Sequence, residues 1–242
     1  MAIKMLRGAG VASYATLGLQ DGGDDDKLLQ FNAPGKPRKV IRIAVTSVET
    51  TDEQFESAAL NMHDRSIERY MAFNGLINRI LRESKKPDYI VMPELSVPLR
   101  WALRAARKLA LNGVSLLAGV EYSRDRATRK LRNDCLVSLT THWPGYASNI
   151  VVLQPKFEPA HGERQFLKKI LKRDGMFFQP PEKFRKPTVY GHRGFHFSAL
   201  VCSDLTNIQH RHELRGHIDA LFALEWNRDT NTFSSLVEST AN

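Results

Sequence analysis

Three reactive side chains stand where apolar segments of the sequence end. Glu94 closes "YIVMPE", Lys156 follows "VVLQP", and Cys202 follows "FSALV". A carboxylate near a thiol can accept its proton as a general base and later return that proton to a leaving amine. A lysine ammonium can stabilise the anion that forms when sulfur attacks a carbonyl or nitrile carbon. Together these residue types predict acyl transfer through a thioester, followed by hydrolysis.

Each of the three residues also has an ordinary structural explanation. Cys202 can fill a core position, because free cysteine packs as a small hydrophobe. Glu94 can cap the helix expected after it, since carboxylates are stabilised at helix N-termini. Lys156 is one of 35 lysines and arginines and by itself indicates little. Their shared position at strand ends favours chemistry, because ligands of open α/β sheets collect at the carboxyl ends of strands.

The segments that carry these residues alternate between strands and helices. Apolar and β-branched runs predict strands at 40–48, 86–95, 114–122, 131–141, 148–156, 194–204 and 218–226. Helical periodicity predicts helices at 50–84, 98–113 and 209–217, with a further helix beginning at 229. The polar, proline-rich stretch 157–190 is expected to be a loop region with one short helix near 164–173. This order predicts a mixed α/β layered architecture.

Length and composition predict one substantial domain behind a short lead-in. The chain has 242 residues, of which 42% are hydrophobic, and this suffices for a single core. Residues 1–37 are predicted to be an N-terminal lead-in or linker, because "DGGDDDK" and "APGKPRK" have turn and linker compositions. Within it, Asp24 to Asp26 are expected to be solvated rather than to bind a cation. Residues 38–242 form the predicted domain.

The charge balance of the chain is strongly basic. The formal net charge is +9 and the isoelectric point is about 9.7. Such a balance favours polyanionic partners, nucleic acid above all, although a basic face or a missing acidic partner also explains it. The two cysteines indicate a reducing compartment rather than a disulfide framework. No segment approaches the roughly 20 apolar residues that span a bilayer, so a cytoplasmic protein without membrane contact is expected.

Two further features invite a ligand hypothesis. Eight histidines include a group at His210, His212 and His217, but no zinc-ligand spacing is present, and a solvated basic helix is the expected structure. We therefore predict no metal and no organic cofactor. The basic segment 164–175 can contact nucleic acid or an acidic partner. Its alternative is a helix over the site entrance whose lysines remain in water.

Three motifs resemble, in order, those of the nitrilase superfamily of carbon–nitrogen hydrolases. "PDYIVMPELSVP" resembles its glutamate motif, "LQPKFEPAHGE" its lysine motif, and "GFHFSALVCSDLTN" its cysteine motif. The resemblance covers about residues 38–242 and implies an α-β-β-α sandwich. Because that family continues beyond the helix expected at the end of this chain, the resemblance also implies a domain truncated at its C-terminus.

The resemblance assigns a role to five residues. It implies that Glu94 is the general base, Lys156 stabilises the intermediate, and Cys202 is the nucleophile. It further implies that Glu163 positions Lys156 and the substrate. Asp204 matches the acid of the cysteine motif and is expected to be structural, holding the turn of the nucleophile.

The sequence also departs from the family pattern. The lysine motif reads Gln-Pro-Lys instead of aromatic-Arg-Lys, and Ser203 replaces the usual aromatic residue after the cysteine. The first strand lacks a common glutamine, and Glu225 stands where a small or polar residue is usual. These departures leave the substrate open.

Two functions follow as hypotheses. The first is a cysteine-dependent hydrolase of non-peptide carbon–nitrogen bonds, amide or nitrile, that acts on a small amide-like substrate. The alternative is an assembly module with little or no catalysis, such as the nitrilase-like domain of a bacterial reverse transcriptase in antiviral defence, with that enzyme or nucleic acid as partner. The resemblance implies a homo-oligomer in both cases.

Overall fold

A computed structural model describes residues 9–12, 20–21, 28–143 and 146–226. Its strands are β1 (Ala9–Ala12), β2 (Gln20–Asp21), β3 (Leu29–Ala33), β4 (Ile43–Val45), β5 (Tyr89–Val97), β6 (Ser115–Arg124), β7 (Leu131–Trp143), β8 (Tyr146–Pro155), β9 (Thr188–His192), β10 (Phe195–Val201) and β11 (Ala220–Leu224). Its α-helices are α1 (Asp52–Ala59), α2 (Ile67–Arg82), α3 (Leu99–Ala110), α4 (His161–Leu171) and α5 (Ile208–Leu214). Short 3₁₀ helices span Glu182–Phe184 and Cys202–Thr206.

The strands form two sheets. The first has six strands in the order β1-β8-β7-β6-β5-β4, and the second has five in the order β11-β10-β9-β3-β2. In the first sheet β4, β5 and β6 run parallel, whereas β6, β7 and β8 run antiparallel. In the second sheet β10 pairs parallel with β11 and antiparallel with β9. The parallel strand pairs leave the ends of β5 and β10 free to present side chains to a site.

Apolar cores separate four layers. Helices α2 and α3 pack on the outer face of the first sheet through residues such as Trp101 and Leu109. The two sheets pack against each other through a second core that includes Val137 and Phe197. The outer face of the second sheet packs on α5 through Leu214. This is the α-β-β-α sandwich that the resemblance implied, and the predicted fold class is confirmed.

Helix α3 shows how the sequence produces this layering. Its small and apolar side chains recur every three or four residues, and those of Ala102, Ala105, Ala106 and Leu109 are buried. The intervening charged residues face solvent. The chain leaves the helix at Gly113, whose φ of 72° lies in the left-handed region that glycine adopts without strain.

Several element predictions need correction. The helix expected over 50–84 is two helices, because the chain turns between them and Asn61 takes a φ of 64°. The strand expected over 40–48 is paired only at Ile43–Val45, at the edge of the first sheet. The loop region 157–190 contains β9, a central strand of the second sheet that its polar and proline-rich surroundings concealed.

The segment 1–37, predicted as a lead-in or linker, contributes strands to both sheets. Strand β1 pairs with β8, and β3 lies between β9 and β2. Turn-forming residues around these short strands mask their pairing in the sequence, and the division of the chain at residue 37 stays a prediction. The acidic triplet at 24–26 and the helix predicted from 229 lie outside the described residues.

Candidate active site

Glu94 lies in an irregular stretch of β5. The pairing of β5 with β6 shifts register between Met92 and Val97, and such bulges re-aim side chains at strand ends. Pro93, which cannot donate a ladder hydrogen bond, lies in this stretch, where proline is tolerated. Leu95 follows with a φ of 54°, a strained conformation for a branched residue. The Glu94 carboxylate is therefore turned into the interior, where the residue is 2% exposed.

Gly119 of β6 allows the backbone of β5 to approach closely at this point. A Cβ atom at position 119 would lie 2.3 Å from the Cα atom of Glu94 and 2.5 Å from the carbonyl oxygen of Pro93. Real Cβ atoms do not approach backbone atoms this closely. The position of Glu94 therefore depends on a glycine in the neighbouring strand.

Lys156 lies immediately after β8 and is buried between two carboxylates. Its Nζ donates to Glu94 Oε1 at 3.0 Å and to Glu163 Oε2 at 2.6 Å. Its backbone N–H donates to the carbonyl of Asn133 at 2.7 Å, which ties the end of β8 to β7. The residue is 1% exposed, so its charge is compensated by protein groups rather than by water.

Glu163 belongs to the first turn of α4 and connects that helix to the site. Its Oε2 accepts the backbone N–H of Ala160 at 3.1 Å, as a capping side chain does. Its Oε1 accepts the phenolic hydroxyl of Tyr122 and, at 3.4 Å, the side-chain amide of Asn133. Glu163 is thus held in place by two strands and by the N-cap of its own helix while it contacts Lys156.

Cys202 occupies the turn at which β10 becomes a 3₁₀ helix. Its φ is 48°, so the nucleophile candidate sits in a left-handed conformation that a non-glycine residue adopts at an energetic cost. The residue is 8% exposed, and the Glu94 carboxylate lies near enough to raise the pKa of its thiol. The other cysteine, Cys135, is fully buried between the two sheets.

Burial and mutual charge shift the pKa values of these groups. Two carboxyl groups, those of Glu94 and Glu163, lie beside the one ammonium group of Lys156, with little access to water. Burial raises the pKa of Glu94, the Lys156 ammonium opposes this, Glu163 adds to it, and the net pKa is raised. Burial acts to lower the pKa of Lys156, but the carboxylates of Glu94 and Glu163 outweigh it, and the net pKa is raised.

The thiol of Cys202 is held in its neutral form. Burial is the largest cause that raises its pKa, and the Glu94 carboxylate adds to the effect while the Lys156 ammonium opposes it. A neutral thiol needs a base within reach before it can attack. The Glu94 carboxylate, which is close enough to this thiol to raise its pKa, is the candidate for such a base.

Asp204 joins the cysteine turn to the segment after Lys156. Its carboxylate accepts the backbone N–H of Phe157 at 3.1 Å and that of Glu158 at 3.3 Å. Burial raises the pKa of Asp204 to about 7, against the opposing effects of Lys156 and of these backbone donors. Ser203 adds a second link, because its hydroxyl donates to the carbonyl of Glu158 at 2.8 Å.

Three residues of the site were not found from the sequence. Asn133 Nδ2 donates to Glu94 Oε1 at 2.7 Å, and the backbone N–H of Trp226 donates to Glu94 Oε2 at 3.1 Å. The third is Tyr122, bonded to Glu163. The polar asparagine in the strand segment "LRNDCLV" was a usable signal for Asn133.

Glu225 is also affected by the site. Burial raises the pKa of Glu225 to about 7, and the nearby Glu94 carboxylate is the next cause of this rise.

Two histidines of the group that invited a metal hypothesis lie in α5. In the ranges that the structure describes, no three or more His, Cys, Asp or Glu side chains are grouped so as to hold a metal ion. His210 is largely buried and packs edge-on against Phe157, whereas His212 is exposed. None of the described helices is long and apolar enough to cross a membrane.

Comparison with solved structures supports the architecture. A CN-hydrolase superfamily protein from Xanthomonas campestris, described with an arsenic adduct in its active site, matches with a TM-score of 0.52 and 13% identity over 83% of this chain and 71% of that one. A variant of the amidase from Nesterenkonia sp. AN1 matches with a TM-score of 0.51 and 15% identity over 86% and 74%. That variant carries the acetamide moiety of fluoroacetamide on its active-site cysteine.

A second variant of the same amidase, described as belonging to the nitrilase superfamily, matches with a TM-score of 0.51 and 14% identity over 83% of this chain and 72% of that one. No protein-family model matches the sequence, and no curated protein matches it. At these identities the likeness shows the fold alone. The chain therefore has the nitrilase-like α-β-β-α fold, and its activity is argued from its own residues.

Proposed function

We propose that this chain is a cysteine-dependent hydrolase of non-peptide carbon–nitrogen bonds. One observation carries the proposal: the irregular stretch of β5, the end of β8 and the end of β10 bring a carboxylate, an ammonium and a thiol into one buried cluster. Glu94 accepts a hydrogen bond from Lys156 and lies near enough to Cys202 to raise the pKa of its thiol, so the proposed base is next to both the cation and the nucleophile. Structural neighbours that are amidases with an active-site cysteine support the same chemistry.

The first half-reaction forms a thioester. Glu94 takes the proton from the Cys202 thiol as the sulfur attacks the carbonyl carbon of an amide. The carbonyl oxygen becomes an oxyanion, which the Lys156 ammonium stabilises in a site sheltered from water. When the intermediate collapses, the carbon–nitrogen bond breaks and protonated Glu94 gives its proton to the leaving amine. A nitrile carbon undergoes the same attack and gives a thioimidate.

The second half-reaction releases the acid. Glu94, ionised again, takes a proton from a water molecule as the water oxygen attacks the thioester carbon. The carbon–sulfur bond breaks, the carboxylic acid leaves, and the proton on Glu94 returns to the Cys202 sulfur. Glu163 keeps Lys156 in position throughout, through the ion pair between Lys156 Nζ and Glu163 Oε2. Asp204 holds the cysteine turn against the segment that follows Lys156.

Selective labelling of Cys202 tests this proposal. We expect fluoroacetamide, an amide-shaped and weakly reactive alkylating agent, to label Cys202 and to leave Cys135 unlabelled. Glu94→Gln should slow the labelling by on the order of a hundredfold or more, because the variant lacks the base. Intact-mass and peptide mass spectrometry measure both rates. Cys135→Ala is the matched control and should label like the wild-type protein.

Equal labelling rates of the wild-type protein and the Glu94→Gln variant would contradict the proposal. If the folded wild-type protein labels Cys202 no faster than the Glu94→Gln variant does, the carboxylate does not activate the thiol. The hydrolase proposal then fails. Circular dichroism of each variant establishes that the compared proteins are folded.

The second candidate function is assembly within a larger protein, with little catalysis. The net charge of +9 favours it, since a basic surface suits contact with nucleic acid. A nitrilase-like domain that serves a reverse transcriptase in antiviral defence, or one that forms homo-oligomers, fits this description. If Cys202 is not labelled by fluoroacetamide and the protein binds nucleic acid in a salt-sensitive manner, the second function is favoured over the first.

A further inference from the structure

A cavity of about 360 Å³ lies on the helix side of the first sheet, where β6 ends beside the first turn of α3. Its walls include one histidine, three arginines, one tryptophan and one glutamate: His63, Arg65, Arg100, Arg104, Trp101 and Glu121. Tyr122, whose hydroxyl donates to Glu163 in the candidate active site, also lines the cavity, but none of the six has a role in the proposed hydrolase chemistry. Cationic side chains from two separate segments therefore converge on this cavity.

Within the ranges that the structure describes, no acidic side chain forms an ion pair with the arginines of the cavity wall. Arg65, Arg100 and Arg104 are exposed, and none of them forms an ion pair with another residue of the described ranges. Glu121 is the acidic wall residue, and its two oxygens are already occupied. His63 Nδ1 lies 2.6 Å from its Oε2, and Arg69 NH1 donates to its Oε1 at 2.5 Å. The three free guanidinium groups thus remain available to an anion.

The backbone at the same place adds to this potential. Helix α3 has 12 residues, and its first turn, which lines the cavity, contains no acidic side chain and no side-chain cap. The N-terminal end of a helix carries partial positive charge and free N–H groups, both of which favour an anion. Pro98, at the cap position, leaves these donors unmatched by any side chain of its own.

The tryptophan indicates which part of a ligand is recognised. One face of Trp101 stacks near Phe73, its edge meets Tyr70, and the Arg69 guanidinium lies 5.9 Å from its ring centroid. The ring is 7% exposed and therefore not free to stack on a base. Recognition must come from charge, and paired guanidinium groups match the oxygens of phosphate in a bidentate manner.

We propose that this cavity binds a compact phosphate-bearing small molecule. Its volume falls at the lower end of the roughly 300–1,000 Å³ typical of small-molecule sites. Arg100 and Arg104, four residues apart on α3, lie on the same face of the helix and can hold one phosphate group between them. Arg65 closes the site from the turn before α2. The inference is independent of the proposed hydrolase, since none of these side chains belongs to that chemistry.

Isothermal titration calorimetry with inorganic pyrophosphate tests the site. The wild-type protein is compared with Arg100→Gln/Arg104→Gln and with the control Arg79→Gln/Arg82→Gln, which removes the same charge from the exposed end of α2. We expect the dissociation constant to rise by at least about tenfold in the first variant, because bidentate contacts are lost. The control should change it by no more than about twofold, because distant surface charges are screened by salt.

Three outcomes overturn the proposal. The first is no measurable binding of pyrophosphate to the wild-type protein. The second is an equal loss of binding in both double variants, which indicates general attraction to a basic surface. The third is binding of a short single-stranded oligonucleotide that requires Arg100 and Arg104 and is not displaced by pyrophosphate. That result would assign these arginines to nucleic-acid binding. Should the first double variant not fold, Arg65→Gln takes its place.

Discussion

Lys156 shares its single positive charge between two carboxylates in the interior, and burial together with these charges governs the protonation of Glu94. The structure places Glu94 Oε1 at 3.0 Å and Glu163 Oε2 at 2.6 Å from the ammonium. Burial chiefly, and then the Glu163 carboxylate, outweigh the opposing Lys156 ammonium, so the pKa of the Glu94 carboxyl group is raised. The same group is the proposed base, so its protonation state should control the rate of cysteine chemistry.

The pH dependence of Cys202 labelling follows from this shift. A carboxylate acts as a base only when ionised, so the rate falls as the pH drops through the pKa of Glu94. Because that pKa is raised, we expect the acidic limb to lie above the ordinary glutamate value of 4.5. Asn133→Ala removes a donor that favours the ionised form, so the limb should move to still higher pH. The rates at which fluoroacetamide labels the wild-type protein and the Asn133→Ala variant, measured across pH, give the acidic limb of each.

Asn149→Ala is the matched control for this experiment. Asn149 is another buried asparagine, but its side chain donates to Ser138 Oγ, between β8 and β7, rather than to the site. Its removal should leave the acidic limb unchanged. A limb that shifts to lower pH in Asn133→Ala would contradict the role given to this hydrogen bond.

At the scale of elements, the close approach of β5 and β6 decides where Glu94 lies. Gly119→Ala would bring a Cβ atom within 2.3 Å of the Cα atom of Glu94, so one strand must move. Overpacking of this kind destabilises by about 1–3 kcal/mol. We expect a lower thermal midpoint and a labelling rate of Cys202 that falls with it, measured by calorimetry and mass spectrometry.

Gly75→Ala provides the control within α2. A Cβ atom at position 75 meets nothing within 4 Å, and alanine is favoured over glycine inside a helix by about 0.5–1 kcal/mol. This variant should therefore be as stable as the wild-type protein or slightly more so, with unchanged labelling. If Gly119→Ala behaves like Gly75→Ala, the approach of the two strands does not constrain Glu94.

The elements also show where prediction from sequence succeeds. Strands β5, β6, β8 and β10 are long and apolar, and the structure has them within a few residues of their predicted bounds. Strand β9 was missed, because five residues beside prolines and lysines carry too little periodicity. The three strands within residues 1–37 were missed for the same reason. Short strands are specified by their neighbours in the sheet rather than by their own composition.

At the scale of the whole molecule, the net charge of +9 predicts binding to polyanions that salt weakens. If retention on immobilised single-stranded nucleic acid depends on the total charge, two double variants that each remove two positive charges should lower it equally. These are Lys168→Gln/Lys169→Gln in α4 and Arg79→Gln/Arg82→Gln in α2. The salt concentration at elution measures retention. A loss confined to the α4 pair would instead identify α4 as a nucleic-acid surface and favour the assembly function.

The sequence by itself determined the fold class and the residues worth examining. Apolar runs of strand length and amphipathic helices specify which faces are buried, and burial is a local property that periodicity encodes. Reactive side chains that follow such apolar runs lie near the ends of strands, where ligands of α/β sheets bind. Glu94, Lys156 and Cys202 could therefore be singled out.

Only the tertiary structure decided how these groups meet. Glu94 bonds Asn133, Lys156 and Trp226, which lie 39, 62 and 132 residues further along the chain. Such contacts depend on strand order, register and the packing of layers, which no local pattern records. The left-handed backbone of Cys202 and the arginine-lined cavity beside α3 arise in the same way, because each requires distant segments to be brought together.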